Sequence, residues 1–394
     1  MKLYLRPAQK LVNEALADTP VVSILGPRQV GKSTLAKIVA PDRDYITLDD
    51  ANLLKLAIED GPGFIQSLPS FVIIDEVQRA PNLMLAIKKS VDEDRRPGRF
   101  ILTGSANLML MEQTQDSLAG RHEAIHLFPL TSHEIASSAP ERTFINALLN
   151  GSIKPKVNAY SGTLEKLKYA VCAGGYPEPL TRSERRAHRW FTVYLEDIVN
   201  RDLKAVDEVR NPDALLRLLK LCASRTASLL EINTLAKEVQ ISADTVKSYI
   251  AILEKLFLIR MLPAWSTNLG KRLIKSPKIH LIDTGMICAM CGLSADDWLT
   301  QADFFGHLIE SYSVQQVISQ LSWIDDDVHC YHFRDQKKHA VDLVLKRGAS
   351  IWGLEMKRST TISEKDYKGL QILANTSGDH WKGGVIFYSG DHIL

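Results

Sequence analysis

The segment from Gly26 to Ser33 constrains the fold of this chain more than any other part of the sequence. It reads Gly-Pro-Arg-Gln-Val-Gly-Lys-Ser and matches the pattern G-x-x-x-x-G-K-[S/T]. The apolar run Val21–Leu25 precedes it, and the helical pattern Lys32–Val39 follows it. A strand, a glycine-rich loop and a helix in this order are typical of a phosphate-binding loop at the edge of a parallel sheet. The segment therefore predicts an α/β fold with a nucleotide site, and the alternative is a glycine turn without function.

The residues of this loop have predicted roles in holding ATP and Mg²⁺. Gly26 and Gly31 let the backbone approach the phosphates, so that amide N–H groups point inward. The first turn of the following helix adds its positive dipole end. We expect the Lys32 ammonium to reach the β- and γ-phosphates and to act in catalysis, and the Ser33 hydroxyl to bind Mg²⁺. The residues predicted to contact the nucleotide are Gly26, Pro27, Arg28, Gln29, Val30, Gly31, Lys32, Ser33 and Thr34.

A second apolar run ends in two carboxylates. Phe71–Ile74 is followed directly by Asp75 and Glu76. Four consecutive apolar residues indicate a strand that is buried on both faces, and ligands bind at the carboxyl ends of such strands. We predict that Asp75 coordinates Mg²⁺ and that Glu76 is the catalytic residue that orients and polarises the attacking water. A solvated acidic turn is the alternative.

A third apolar run also carries polar residues at its end. Phe100–Leu102 is followed by Thr103, Gly104, Ser105, Ala106 and Asn107. Ser105 or Asn107 is expected to contact the γ-phosphate or the water, and a plain Gly-Ser turn is the alternative. Further strands are predicted at Tyr45–Leu48 and Ile125–Phe128, with helical stretches between them. This alternation predicts a parallel sheet covered on both faces.

These motifs carry a family resemblance. The segments GPRQVGKST, FVIIDEVQ, FILTGSAN and SLAGR, which lie in this order between Gly26 and Arg121, resemble AAA-family ATPases of bacteria and archaea that carry a C-terminal domain of unknown function. The downstream segments GGYPEPL and NRDL match as well. The resemblance implies a P-loop ATPase core with an additional strand. It also implies a catalytic role for Arg121, as an arginine finger or sensor, and a finger acting in trans would require a homo-oligomer. A structural ion pair is the alternative for Arg121.

The middle of the chain has the pattern of a helix-turn-helix. A helix is predicted over 231–239 and a second over Ala243–Leu258, with Ser242 as its N-cap. Ile259–Trp265 and the basic segment that follows are predicted to form a wing. In a DNA-binding version, groove contacts would come from Thr245, Lys247 and Ser248, and phosphate contacts from Lys271, Arg272 and Lys275. The alternative is a module that serves only packing or protein contacts.

The C-terminal part predicts a β-hairpin with converging charges. Ala340–Leu345 and Ile351–Lys357 are strand-like, with a turn around Gly348. An amphipathic helix is predicted over Gly306–Leu321. The charged residues Glu310, Asp342, Glu355 and Lys357 resemble the D…E-x-K set of restriction-type nucleases, which implies a divalent metal site. Related sequences often have an acidic residue where this chain has Ala340, and an ordinary ion pair is the alternative.

The chain of 394 residues is too long for one ordinary hydrophobic core. We predict a P-loop domain at 1–135, a linker at 136–165, a helical region at 166–275 and a nuclease-like α/β domain at 276–394. The five scattered cysteines do not suggest a disulfide framework. Because the sequence also lacks an apolar signal peptide and any apolar run of about 20 residues, we expect a cytoplasmic protein without a membrane partner.

Three functions are compatible with these patterns. The first is an ATP hydrolase that couples its nucleotide state to the binding or remodelling of nucleic acid, most simply DNA. The second is a metal-dependent nuclease gated by ATP. The third is a nucleotide-dependent switch that binds a protein partner. The net charge of +2 does not choose between them, since only local clustering of charge reports on nucleic acid.

Overall fold

The computed structural model describes residues 2–105, 118, 120–139, 142–156, 163–199, 209, 211–266 and 276–392. Several predicted features lie outside these residues, namely Asn107, the NRDL segment and the basic residues Lys271, Arg272 and Lys275. Among the described helices, none is both long enough and apolar enough to cross a membrane. All five cysteines are described, and each is a free thiol.

The described part of the first 130 residues forms a parallel sheet flanked by helices. Its strands are β1 (Val21–Leu25), β2 (Asp44–Thr47), β3 (Val72–Asp75), β4 (Phe100–Gly104) and β5 (His122–His126), and the helices are α1 (Ala8–Asp18), α2 (Lys32–Val39), α3 (Ala51–Glu59), α4 (Gly61–Ser67) and α5 (Leu83–Glu93). The spatial order is β2-β3-β4-β1-β5, and every pairing is parallel. Strand β4 thus lies between β1 and β3, which is the additional strand that the family resemblance implied.

The sheet is covered on both faces because its strands alternate between two cores. Val22 and Ile24 of β1 pack with one apolar cluster, and Val21 and Leu25 pack with the other. Helices α1 and α2 cover the first face, and α4 and α5 contribute to the second. The carboxyl ends of β1 and β3 therefore meet at one open edge. The predicted α/β fold is confirmed.

The helical region follows. Its helices are α6 (Ser132–Ile135), α7 (Phe144–Leu149), α8 (Thr163–Ala173), α9 (Glu184–Asp197), α10 (Pro212–Ser224), α11 (Ile232–Val239) and α12 (Ala243–Lys255), and its strands are β6 (Ser228–Leu229), β7 (Ile259–Leu262) and β8 (Lys278–Leu281). The Ser242 hydroxyl accepts a hydrogen bond from the Thr245 amide and caps α12 as predicted. Strands β6 and β7 pair with opposite edges of β8. Strand β8 thus completes the sheet of the helical region, although it lies beyond the boundary predicted at 275.

The C-terminal sheet is mixed. Its elements are α13 (Thr284–Cys291), α14 (Ala302–Leu321), β9 (Val328–Arg334), β10 (Ala340–Arg347), β11 (Ser350–Lys357), α15 (Glu364–Ser377) and β12 (Trp381–Tyr388). Strands β9, β10 and β11 are antiparallel, which confirms the predicted hairpin, and β12 is parallel to β11 after the crossover through α15. The amphipathic pattern predicted for the helix at 306–321 is wrong, because α14 buries side chains around most of its circumference, including Glu310, Ser311 and Gln315.

The Gly174–Tyr176 segment joins three parts of the chain. The Gly175 carbonyl accepts a hydrogen bond from the Leu130 amide at 2.7 Å, just after the first sheet. The Gly175 amide donates to Asp283 Oδ2 at 2.6 Å, and the other oxygen of Asp283 caps α13. Burial raises the pKa of Asp283 to about 6. A Cβ on Gly175 would lie 2.1 Å from the Leu130 carbonyl oxygen, so this junction requires glycine.

The variant Gly175→Ala is therefore expected to lower the free energy of unfolding by about 1–3 kcal/mol, the usual cost of forcing extra volume into a packed site. Urea denaturation followed by circular dichroism measures the change. Gly306→Ala is the matched control, because that glycine lies inside α14 with open space around its Cβ position. The control should be neutral or slightly stabilising. Equal stability of the two variants would contradict the assigned junction.

Candidate nucleotide-binding site

The loop between β1 and α2 has the strained backbone that its glycines permit. Gly26 has φ 154° and Gly31 has φ 101°. A Cβ on Gly26 would lie 2.0 Å from the Leu127 carbonyl oxygen, so only glycine fits there. Gln29 also adopts a positive φ of 61°. This succession of unusual φ values turns the loop sharply at the carboxyl end of β1, where the sequence predicted a phosphate.

Lys32 lies at the first position of α2 and is buried. Its ammonium donates a hydrogen bond to the Pro27 carbonyl at 2.8 Å, across the loop that the two glycines form. The charge is therefore held directly over the loop. This is the place from which a lysine can reach the phosphates that the loop would enclose.

Asp75 is the centre of a polar cluster at the end of β3. The Ser33 hydroxyl donates to Asp75 Oδ1 at 2.8 Å, and the hydroxyls of Thr103 and Tyr45 also donate to this carboxylate. Burial and the hydrogen bond to Asp75 raise the pKa of Tyr45. A hydroxyl and a carboxylate in direct contact supply the oxygen ligands that Mg²⁺ prefers. The residues present therefore fit the ion that the loop motif implies.

Glu76 is held in a defined direction by two neighbours. Its backbone is left-handed, with φ 58°, which is uncommon for a residue with a side chain. Glu76 Oε2 accepts a hydrogen bond from the side-chain amide (Nε2) of Gln78 and another, at 3.1 Å, from the Ser105 hydroxyl. The Ser105 amide in turn donates to Gln78 Oε1 at 3.3 Å. Ser105 therefore acts first as a partner of Glu76, and its predicted contact with the γ-phosphate or the water stays a prediction.

A cleft of ≈ 460 Å³ lies beside these residues. It brings together most of the residues that the sequence predicted, and it adds Asp49 and Glu178. The lining residues are Arg28, Gln29, Gly31, Lys32, Ser33, Thr34, Asp49, Asp75, Glu76 and Glu178. Its volume is in the range of small-ligand sites. Glu178 comes from the GGYPEPL segment and pairs with Arg182 at 2.6 Å, so the region after the first sheet also borders the cleft.

Arg121 lies away from this cleft. Its carbonyl accepts a hydrogen bond from the Val21 amide, at the amino end of β1. The loop begins at the other end of this strand, about 13 Å further along. The Arg121 guanidinium pairs with Asp92 at 2.6 Å, and this hydrogen bond lowers the pKa of Asp92. Arg121 therefore does not reach the nucleotide cleft of its own chain, and a role in trans stays a prediction.

Arg6 supports the phosphate-binding loop through hydrogen bonds, and the sequence analysis did not identify it. Its guanidinium donates to the Val30 carbonyl at 2.7 Å and to the Phe128 carbonyl at 2.6 Å. It also forms a buried ion pair with Glu134 at 2.6 Å. No local motif signals this residue, because its partners lie 24 to 128 residues away. Arg6 thereby ties the phosphate loop to the end of the first sheet.

The C-terminal charges come together, but around a lysine. Lys278 of β8 donates to Glu310 Oε1 at 2.5 Å and to Asp342 Oδ1 at 3.1 Å. Lys357 pairs with Glu355 at 2.6 Å. Among the described residues, no group of three or more His, Cys, Asp or Glu side chains is arranged to hold a metal ion. The metal site predicted for Glu310, Asp342, Glu355 and Lys357 stays a prediction, and an ammonium lies between two of its carboxylates.

The predicted DNA-contact residues of α12 are only partly available. Lys247 and Ser248 are exposed, and Thr245 is half-buried. Lys247 pairs with Asp244 at 3.0 Å, and the Thr245 hydroxyl is hydrogen-bonded to Ser242. DNA contact by this helix stays a prediction.

Three segments of the chain match known protein families. Residues 18–136 match an AAA domain, residues 164–297 match a domain of unknown function (DUF8612), and residues 305–394 match a second domain of unknown function (DUF4143). Two uncharacterized proteins, from Mycobacterium tuberculosis and Mycobacterium bovis, are each 29% identical to the chain over 365 residues. These matches cover 92% of this chain and 76% of each relative.

Solved structures with similar folds are more distant. The Walker-type ATPase of Pyrococcus abyssi is 15% identical, with a TM-score of 0.39, over 72% of this chain and 94% of that one. The Holliday junction branch migration motor of Thermotoga maritima is 18% identical, with a TM-score of 0.31, over 65% of this chain and 89% of that one.

Proposed function

We propose that this chain, which matches an AAA domain at residues 18–136 and a domain of unknown function at residues 305–394, binds ATP with Mg²⁺ and hydrolyses it. The observation that carries this proposal is the direct contact between the Ser33 hydroxyl and the Asp75 carboxylate, beside the buried Lys32 ammonium. These residues supply one neutral oxygen ligand, one anionic oxygen ligand and a cation, which are the groups that a triphosphate–metal complex requires.

The residues of the site would have different roles in hydrolysis. The loop amides and Lys32 would bind and orient the phosphates, and Ser33 and Asp75 would hold Mg²⁺. When bound, Mg²⁺ would neutralise the charge that develops on the phosphate oxygens. Glu76 would orient the attacking water, and its carboxylate is already held by Ser105 and Gln78. Holding this carboxylate in place reduces the reorganisation that the reaction requires.

The proposed output of ATP turnover is the binding or remodelling of nucleic acid. Helix α12 supports it by exposing Lys247 and Ser248 at the surface of a helix-turn-helix. Glu178 supports the coupling, since this residue of the helical region borders the nucleotide cleft. The competing proposal is a switch that binds a protein partner, and the ion pair between Lys247 and Asp244 reduces the positive charge that this helix offers to nucleic acid. The free thiols fit a cytoplasmic location for either function.

The steady-state ATPase rate with and without DNA separates these outputs. We expect duplex, single-stranded or branched DNA to raise the rate several-fold. The increase should fall steeply with salt, since phosphate contacts release counterions. The variant Glu76→Gln is the control that assigns the rate to this site. A Glu76-dependent rate that ignores every DNA would contradict the nucleic-acid output and favour the protein-binding switch.

A further inference from the structure

The ammonium of Lys278 lies at the centre of the C-terminal charge cluster. Lys278 belongs to β8 of the helical region, while Glu310 lies on α14 and Asp342 on β10. The side chains of all three are at most 12% exposed. The two ion pairs of Lys278 therefore connect the helical region to the C-terminal sheet.

The carboxylate oxygens that would face a metal are largely engaged. Asp342 Oδ1 accepts from Lys278, and Asp342 Oδ2 accepts from the Met356 amide at 3.0 Å. Glu310 Oε1 accepts from Lys278, and Glu355 Oε1 accepts from Lys357. Glu355 Oε2 is buried without a hydrogen-bond partner in the described structure. This oxygen of the set therefore still suits a cation.

The carboxylates are also paired without a metal. Lys278 pairs with Glu310 and Asp342, and Lys357 pairs with Glu355, so each of the three carboxylates already has an ammonium within ion-pair distance. A divalent cation would have to enter beside a fixed ammonium, and buried like charges repel strongly.

We propose that Lys278 takes the place of the divalent metal in the D…E-x-K arrangement, so that the C-terminal domain is a binding module that does not cut phosphodiester bonds by metal catalysis. The three carboxylates, paired as they are with Lys278 and Lys357, do not fit the divalent metal that the nuclease-like arrangement implies. A cleft of ≈ 620 Å³ opens beside Lys278 and is bordered by Arg225, His307 and Arg334. This cleft lies between the helical region and the C-terminal sheet, and acidic side chains, among them Glu231, border it beside the basic ones. The inference is independent of ATP hydrolysis.

Titration with Mn²⁺ tests directly whether the Lys278 ammonium takes the place of a metal. The experiment uses the full chain without nucleotide, in an Asp75→Asn background that removes the carboxylate of the ATP site. We expect the background chain to show no Mn²⁺ binding that depends on Asp342, by calorimetry or by the electron paramagnetic resonance of free Mn²⁺. Addition of Lys278→Ala should create one site for Mn²⁺. Its affinity should be at least roughly tenfold higher than any Mn²⁺ binding by the background chain. Further addition of Asp342→Asn should abolish it.

Two outcomes would overturn the proposal. The first is Mn²⁺ binding by the Lys278-containing chain that Asp342→Asn abolishes, and this comparison does not require the Lys278→Ala variant to fold. The second is a folded Lys278→Ala variant that gains no site. Nicking of supercoiled plasmid in Mg²⁺ is the second readout, and the wild-type chain is expected to show none that Asp342→Asn removes.

Discussion

The variant Glu76→Gln is expected to lower ATP turnover by roughly 10²–10⁴-fold, the usual contribution of a positioned general base. ATP binding should remain close to that of the wild type, because Glu76 takes no part in the hydrogen bond of Lys32 to Pro27 or in the Ser33–Asp75 contact. The amide keeps the size of the side chain and one oxygen acceptor for Ser105, while it loses the charge that polarises water. Phosphate release measures turnover, and a fluorescent ATP analogue measures binding.

Lys32→Ala is the companion variant, and it is expected to affect binding as well as turnover. It should weaken nucleotide binding as well as turnover, because the buried ammonium over the loop is removed. Glu59→Gln is the matched control for the charge change, since Glu59 is an exposed residue at the end of α3. Turnover of Glu76→Gln within a few-fold of the control would contradict the assignment of Glu76 as the residue that activates water.

Arg6→Leu is expected to lower the free energy of unfolding by about 3–5 kcal/mol, the cost of leaving a buried charge without its partner. The side chain of Glu134 is 1% exposed and loses its only cation among the described ion pairs. The carbonyls of Val30 and Phe128 lose their donors as well. Because Val30 belongs to the phosphate loop, the KM for ATP should rise together with the loss of stability.

A double variant separates the ion pair from the support of the loop. Arg6→Leu combined with Glu134→Leu should recover part of the stability, because no charge is then left buried. It should not recover the KM, since the Val30 carbonyl still lacks its donor. Urea denaturation and steady-state kinetics measure the two effects. A change below about 1 kcal/mol for Arg6→Leu alone would contradict the role assigned to this ion pair.

The nucleotide site could be predicted from the sequence because its determinants are local. Gly26, Gly31, Lys32 and Ser33 are neighbours along one loop, and Asp75 follows directly on its own strand. A loop motif with a strand before it and a helix after it has few alternative conformations, so residue order alone indicates the geometry. The alternation of apolar runs and helical stretches predicted the parallel sheet for the same reason.

The partners of these residues depended on the tertiary structure. Arg6 contacts a loop and a strand end far along the chain, and Lys278 lies 32 and 64 residues from its two carboxylates. A sequence pattern places carboxylates on a strand, but it does not show which cation the folded chain brings to them. The carboxylates of the expected metal site form ion pairs with Lys278 and Lys357, and Arg121 lies at the end of β1 opposite to the phosphate loop. Short-range chemistry determined the ATP site, whereas long-range packing decided what neutralises, supports and surrounds it.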